Sequence, residues 1–153
     1  GEEDHVKPAV EAEGRLDMWK IAIKPGKPLA FGEVNKPEGG TAWFIGLPGN
    51  PVAAFVTCLM LVRPFILRLQ GVDKVLSKAL PLTADFTWSR PDSRLEFLRA
   101  RINDAGRVEL YPNQGSAVVT SLCWSDGLVL NPPGCAVQPG DTVRFIPFSQ
   151  LLA

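Results

Sequence analysis

From Asp92 onward, turn-forming residues interrupt the chain at intervals of about 8–12 residues. They are Asp92-Ser93, Asp104-Ala105-Gly106, Asn113-Gln114-Gly115, Asp126-Gly127 and Pro139-Gly140-Asp141. What fits between the turns is a set of short strands, near residues 80–88, 95–102, 107–111, 117–123, 127–130 and 142–146. Many short strands with regular turns indicate a small barrel or sandwich. The 14 Gly and 14 Pro among 153 residues are the compositional trace of those turns.

The preceding half reads differently. Residues 3–13 fit a short helix whose acidic start suits the helix dipole, and Gly14 is a natural stop. Strands are expected over 16–23, 29–34 and 41–45, separated by Pro25-Gly26 and by the turn-rich stretch 35–40. Gly46-Leu47-Pro48-Gly49-Asn50-Pro51 then leads into an apolar segment, 52–70, which reads as a helix with Pro51 in its first turn. Pro64 should kink or divide that helix, and Gly71 should end it. An α/β unit over residues 1–74 followed by a small all-β barrel over 75–153 is the expected architecture. Each unit is small enough to be marginal by itself.

Charge and cysteine usage narrow the function classes. Sixteen basic and sixteen acidic residues exclude a generally basic nucleic-acid binder, though not a local basic patch. The apolar run 52–62 is too short to span a bilayer, so no membrane role is expected. Cys58, Cys123 and Cys135 form no metal-ligand spacing and leave an odd count, which fits a reducing, cytoplasmic setting. Cys58 is expected in the core. His5 is the only histidine, so neither a multi-histidine metal site nor a histidine-dependent triad has support.

Bases are distributed unevenly by type: six Lys and three Arg precede residue 77, and one Lys and six Arg follow it. Lys20, Lys24 and Lys27 lie within eight residues that hold no acid. On one extended strand, Lys20 and Lys24 would share a face, and Pro25-Gly26 would turn Lys27 toward the same point. Converging ammonium groups make an oxyanion site; a strand edge protected by solvated lysines is the alternative. The Gly46–Pro51 turn could aim backbone N–H groups at an anion, or could be an ordinary strand-to-helix turn capped by Asn50. In 94–101, Phe97, Arg99 and Arg101 alternate with Glu96 and Leu98. Two arginines beside an aromatic could bind an oxyanion, or could form the polar side of a barrel strand. The acids of Gly1-Glu2-Glu3-Asp4 are dipole partners or a metal or proton-transfer site.

Taken together, these segments resemble the molybdopterin molybdenumtransferases, the MoeA family, whose eukaryotic relatives include the C-terminal part of gephyrin. The resemblance rests on Gly1–Asp4, on Trp19-Lys20 with Lys24-Pro25-Gly26-Lys27-Pro28, and on Gly46–Pro51, in that order and spacing. Glu96–Arg99 and Gly115–Leu128 resemble the family's last domain. The resemblance implies that residues 1–74 are the C-terminal part of a MogA-like molybdopterin-binding domain, and 75–153 the family's C-terminal β-barrel. It also implies that the chain is the end of a longer protein and inactive alone.

What the resemblance implies about function is insertion of molybdate into adenylylated molybdopterin, with Mg²⁺ and release of AMP. It implies a catalytic set of Asp4, Lys24 and Lys27, with Asp4 at the metal. Lys20, Pro28, Pro48, Asn50, Pro51, Arg99 and Ser121 would bind substrate. It further implies a homodimer of the full-length protein and a MogA-like adenylyltransferase as partner. Where the family commonly has Ser after Gly-Asn-Pro-Val, this chain has Ala53. A non-catalytic scaffold of the gephyrin type is the alternative. It would need an exposed apolar patch, which is not evident in the sequence.

Overall fold

The computed structural model describes residues 5–26 and 28–153; of Trp19, Lys20 and Pro28 it describes only the backbone. Helix α1 (Val6–Glu13) leads directly into β1 (Gly14–Lys20), which pairs antiparallel with β3 (Pro28–Asn35). Strand β4 (Thr41–Gly46) completes a three-stranded sheet in the order β1-β3-β4. The strands approach closely at Gly32, where a Cβ would stand 2.1 Å from the Arg15 carbonyl oxygen.

The single strand expected over 16–23 is split between two sheets. The chain leaves the first sheet after Lys20, contributes Ile23–Lys24 (β2) to a second sheet, and returns to the first at Pro28. The Lys24-Pro25 peptide is cis, and Gly26 takes φ +125°, a conformation that favours glycine. Lys20 and Lys24 therefore do not lie on one strand face.

The second sheet has the order β2-β6-β8-β9-β5, with β7 paired to β6. Its strands are β5 (Leu80–Thr83), β6 (Leu95–Ile102), β7 (Val108–Leu110), β8 (Gly127–Asn131) and β9 (Thr142–Pro147). All its ladders are antiparallel except β2–β6. The ladders do not close into a barrel. One parallel bridge, Ala84 to Val108, carries the chain after β5 alongside β7, and Asp85 N–H donates to the Val108 carbonyl at 2.7 Å. Residues 120–124 are a short helix (α4, Thr120–Trp124) rather than part of a strand, and α5 (Phe148–Leu151) closes the described chain. Gly127 has to be glycine for packing reasons: a Cβ there would stand 2.2 Å from the Ile146 carbonyl oxygen.

The apolar segment forms one continuous helical path from Pro51 to Leu69. It comprises α2 (Pro51–Thr57), a π-helical turn (Cys58–Val62) and α3 (Arg63–Leu69). Pro64 neither divides nor ends it. A proline inside an α-helix clashes with the carbonyl four residues back and lacks its own donor. The π turn just before it widens the ladder, so that Arg63 N–H reaches back to Cys58 O. At 19 residues and mean hydropathy 1.9, this path is longer than the expected apolar run and is long and apolar enough to cross a membrane by length and composition only, a criterion that core helices also meet. One of its faces packs on protein: Val52, Val56 and Leu59 share a core with Ile23, Phe97, Leu128, Ile146 and Leu151. Each fully buried aliphatic side chain of this kind contributes about 1.5–3 kcal/mol. Cys58 falls off that face and is exposed, not in the core.

That core joins residues before and after position 74. A second core, built from Ala84, Leu98, Ala100, Val108, Val129, Val137, Val143 and Phe145, belongs to the β-rich half alone. Strand β6 lies between the two, with Phe97 facing one and Leu98 and Ala100 the other. Its polar residues at 96 and 99 are consequently buried, at 1% exposure each. Away from both cores, Phe31 stacks on Trp43 at 5.4 Å and Phe65 meets both rings edge-on, leaving Trp43 half exposed. An exposed apolar patch therefore exists, on the first half.

Candidate oxyanion site

A cleft of about 590 Å³ opens where the two halves meet. Residues 24–26 supply one wall, residues 48–50 and Ala53 a second, and β6 with residues 114–116 the rest; Trp88 also lines it. Three segments that are far apart in sequence thus converge on one space. They do so because β2 is stitched onto β6 and α2 packs its Val52 and Val56 onto the same sheet.

Arg99 is the most unusual group in the cleft. It is buried at 1% exposure, yet among the described residues no carboxylate pairs with it. Its Nε donates to Ser121 Oγ at 3.3 Å, and its two terminal nitrogens donate to the carbonyls of Phe97 at 3.0 Å and Gly115 at 3.3 Å. Its backbone is clamped by Gln114, which accepts from Arg99 N–H and donates to the Arg99 carbonyl, both at 2.9 Å. Burial pushes the guanidinium pKa down to about 10, so it is still charged at neutral pH. A buried cation held only by neutral acceptors is costly unless an anion joins it.

Lys24, on the strand paired beside β6, also lines the cleft, with its ammonium 3.4 Å from Asp92. Asp92 in turn accepts two side-chain hydrogen bonds from Arg94, at 2.9 and 3.1 Å, and one from its backbone N–H at 3.0 Å. Those hydrogen bonds from Arg94, side chain first, hold the Asp92 carboxyl well below the usual carboxylate range; Lys24 adds a smaller share. Below them Glu96 is buried, its Oε1 accepting from Trp88 Nε1 at 2.9 Å, Asp92 N–H at 3.1 Å and Asn131 Nδ2 at 3.3 Å. Glu96 thereby fixes the Asp92 turn.

On the loop side, Asn50 occupies the N-cap position of α2 but makes no side-chain cap. Its Nδ2 donates to Ser116 Oγ at 3.2 Å, and Val52 N–H donates to the Ser116 carbonyl at 3.2 Å. The amide thus ties the Pro48–Pro51 loop to the β-rich half instead of capping its own helix. Thr57, one helical stretch further on, is buried with an Oγ1 that has no hydrogen-bond partner among the described residues. That oxygen lies 3.2 Å from where a Cβ on Gly26 would be.

Of the residues singled out in the sequence, Lys24, Pro48, Asn50 and Arg99 line the cleft. Ser121 lies behind Arg99 as its hydrogen-bond partner, and Pro51 starts the adjoining helix. Lys20 ends β1 and Pro28 begins β3, both known by backbone alone; Asp4 and Lys27 lie outside the described residues. Arg101 faces away from the cleft, over the Trp124 ring and paired with Glu109. Arg99 is not the polar side of an exposed strand, because β6 is covered on both faces. Sequence reasoning missed Asp92, Arg94, Trp88 and Gln114. An Asp and an Arg two apart in a turn were a local signal for the first pair. Gln114 carried none, since its partner lies fifteen residues away.

An α/β half and a β-rich half together line one cleft that holds Lys24, Arg94 and Arg99. Two family models match the chain: "Probable molybdopterin binding domain" over residues 1–68, and "MoeA C-terminal region (domain IV)" over 81–148. The chain belongs to the MoeA family, the family of the molybdopterin molybdenumtransferases. The Haemophilus influenzae molybdopterin molybdenumtransferase is 42% identical over 162 residues, an alignment covering 99% of this chain and 38% of that protein. The Drosophila melanogaster molybdenum cofactor synthesis protein cinnamon is 36% identical, over 91% of this chain and 23% of that protein. Among solved structures, the molybdopterin biosynthesis moeA protein of Pyrococcus horikoshii superposes with a TM-score of 0.67 at 18% identity, over 94% of this chain and 38% of that one, a likeness of fold. The chain thus spans less than half the length of these relatives.

Proposed function

We propose that this chain forms the oxyanion-receiving part of a molybdopterin molybdenumtransferase, acting in molybdenum cofactor biosynthesis. The observation that carries the reading is Arg99, a charged guanidinium buried in a shared cleft with no carboxylate partner among the described residues. Molybdate is a tetrahedral dianion. The donors it needs are cations, amides and hydroxyls at fixed positions. Lys24, Asn50 and Arg99 supply that set from three separate segments. In this reading Lys24 and Arg99, which line the same cleft, both hold the dianion, Asn50 fixes the loop beside it, and Ser121 holds the Arg99 fork. By the family resemblance, Lys20, Lys27, Pro28, Pro48 and Pro51 would contribute to binding the pterin substrate.

The family supports a wider reading in which the full-length protein is a cytoplasmic homodimer. It takes adenylylated molybdopterin from a MogA-like adenylyltransferase and releases AMP with the help of Mg²⁺. In this reading the chain divides into a MogA-like part over 1–74 and a domain-IV part over 75–153, and the two family matches, over 1–68 and 81–148, fall one on each side of that division. Among the described residues no group of three or more His, Cys, Asp or Glu side chains could hold a metal ion. A Mg²⁺ role thus rests on Asp4, outside them, and no step is derived through it.

Titrating inorganic molybdate into the full chain by calorimetry tests the central claim. Saturable binding that Lys24→Ala and Arg99→Met each weaken at least tenfold is the expected result. Equal binding by wild type and both variants would remove the cleft from this role. The scaffold alternative retains one supporting observation, the exposed Phe31-Trp43-Phe65 patch. Peptide capture that Trp43→Ala abolishes, with molybdate binding absent, would favour it.

A further inference from the structure

Asp92 is an odd residue to find beside an anion site. It does not line the cleft, but both of its side-chain partners, Lys24 and Arg94, do. Its two ion pairs differ in strength. Arg94 engages it in a two-pronged fork at 2.9 and 3.1 Å, whereas Lys24 makes a single contact at 3.4 Å from a side chain that is 46% exposed. The Arg94 pair is geometrically locked and the Lys24 pair is exchangeable, because exposed single-point pairs contribute little. The carboxylate is also fixed from behind, since the Asp92 N–H is held by buried Glu96. A rigid negative charge therefore engages the one lysine that an entering oxyanion needs.

Resting on the molybdate reading, we propose that Asp92 is an internal competitor for Lys24, whose carboxylate deliberately lowers the oxyanion affinity of the cleft. An entering dianion shares or displaces the carboxylate at the Lys24 ammonium. When the anion leaves, Asp92 takes the ammonium back. The device suits a site that passes its anion on, because a dianion trapped between two uncompensated cations would dissociate slowly. Asp92 stays ionised at any working pH, so the competition is constant and is not a pH switch.

The test is calorimetric titration of inorganic molybdate into the full chain at fixed ionic strength. Asp92→Asn keeps the turn-forming acceptor for Arg94 N–H while removing the charge. Asp92→Ser does the same with a shorter side chain and serves if the first variant loses native circular dichroism. Asp92→Asn is expected to bind molybdate about tenfold more tightly, because the Lys24 ammonium no longer has a competing carboxylate partner. Most of that gain should vanish in a Lys24→Ala background, a coupling that a merely structural role would not produce. Unchanged or weaker binding by Asp92→Asn, or an equal gain in the Lys24→Ala background, overturns the proposal while leaving the molybdate reading intact. Absence of Lys24-dependent binding in the wild type overturns both.

Discussion

The guanidinium of Arg99 donates to the hydroxyl of Ser121 at 3.3 Å, and both side chains are essentially sealed from solvent. Ser121 donates its own hydroxyl hydrogen bond to the Val118 carbonyl at 2.6 Å, so the hydroxyl is oriented with its lone pair toward the arginine. The pair orders a cation that is not neutralised, a cost that folding alone would not select.

A stability–function trade-off should follow at Arg99. Its carbonyl acceptors keep other partners; Gly115 O also receives Val118 N–H at 3.3 Å. Arg99→Met removes the desolvated charge and refills most of the volume. It should leave unfolding free energy within about 1 kcal/mol of wild type, or raise it, while weakening molybdate binding. Urea denaturation and calorimetry read the two effects. A stability loss beyond about 3 kcal/mol would mark Arg99 as structural.

Asn50→Asp separates helix capping from loop tethering. Both residues are good N-caps in general, so a capping role predicts little change. Here the amide instead donates to Ser116, and a carboxylate cannot. The variant should lose about 0.5–1 kcal/mol and place a negative charge in the cleft, weakening molybdate binding further than Asn50→Ala does. Thermal denaturation with molybdate titration checks both.

Thr57→Val tests the unpartnered hydroxyl. The exchange is nearly isosteric and removes a buried polar group that lacks a partner. A gain of about 1 kcal/mol in urea denaturation is expected. A loss of that size would show that Oγ1 is satisfied in solution.

The Asp92–Arg94 turn predicts a specific acid response. The folded-state pKa of Asp92 is depressed below its ordinary value of 3.8, chiefly by the Arg94 hydrogen bonds. A depressed carboxylate stabilises the fold above that value, and the contribution is lost as pH falls through it toward the folded pKa. The groups facing it are Lys24 and Arg94. The stability advantage of wild type over Asp92→Asn should therefore be constant from pH 5 to 7 and shrink below about pH 4. Urea midpoints measured across that range test it. An advantage that persists unchanged at pH 3 would exclude the ion pair as its source.

Much of the local structure was legible. The strands over 29–34, 41–45, 95–102, 127–130 and 142–146, the turn residues between them, and the Pro51 helix start all follow from short-range rules, and the structure places elements there. So were the two loops of the site, because Lys24-Pro25-Gly26 and Gly46–Pro51 are unusual in composition as well as in spacing. Residues 117–123 were misread as a strand because Val118, Val119 and Thr120 are β-branched. Their turn and helix are imposed by long-range packing, with Ser121 drawn beneath Arg99. Pro64 was misread as a break because a π turn is not visible in a pattern built on a period of 3.6.

By itself the sequence determined the order of elements, the turn positions and the clustering of cationic and loop-forming residues, since those depend on each residue's own stereochemistry and on neighbours a few positions away. Only the tertiary structure decided that Lys24 and Arg99 line one cleft. That depends on two residues, Ile23 and Lys24, leaving one sheet to pair with β6 in another, and on Val52 and Val56 packing against the same core. It also decided the electrostatics. The environment of each charge is set by how much water is removed from it and which partner it is given, as the buried Arg99 and the Asp92-bound Lys24 show.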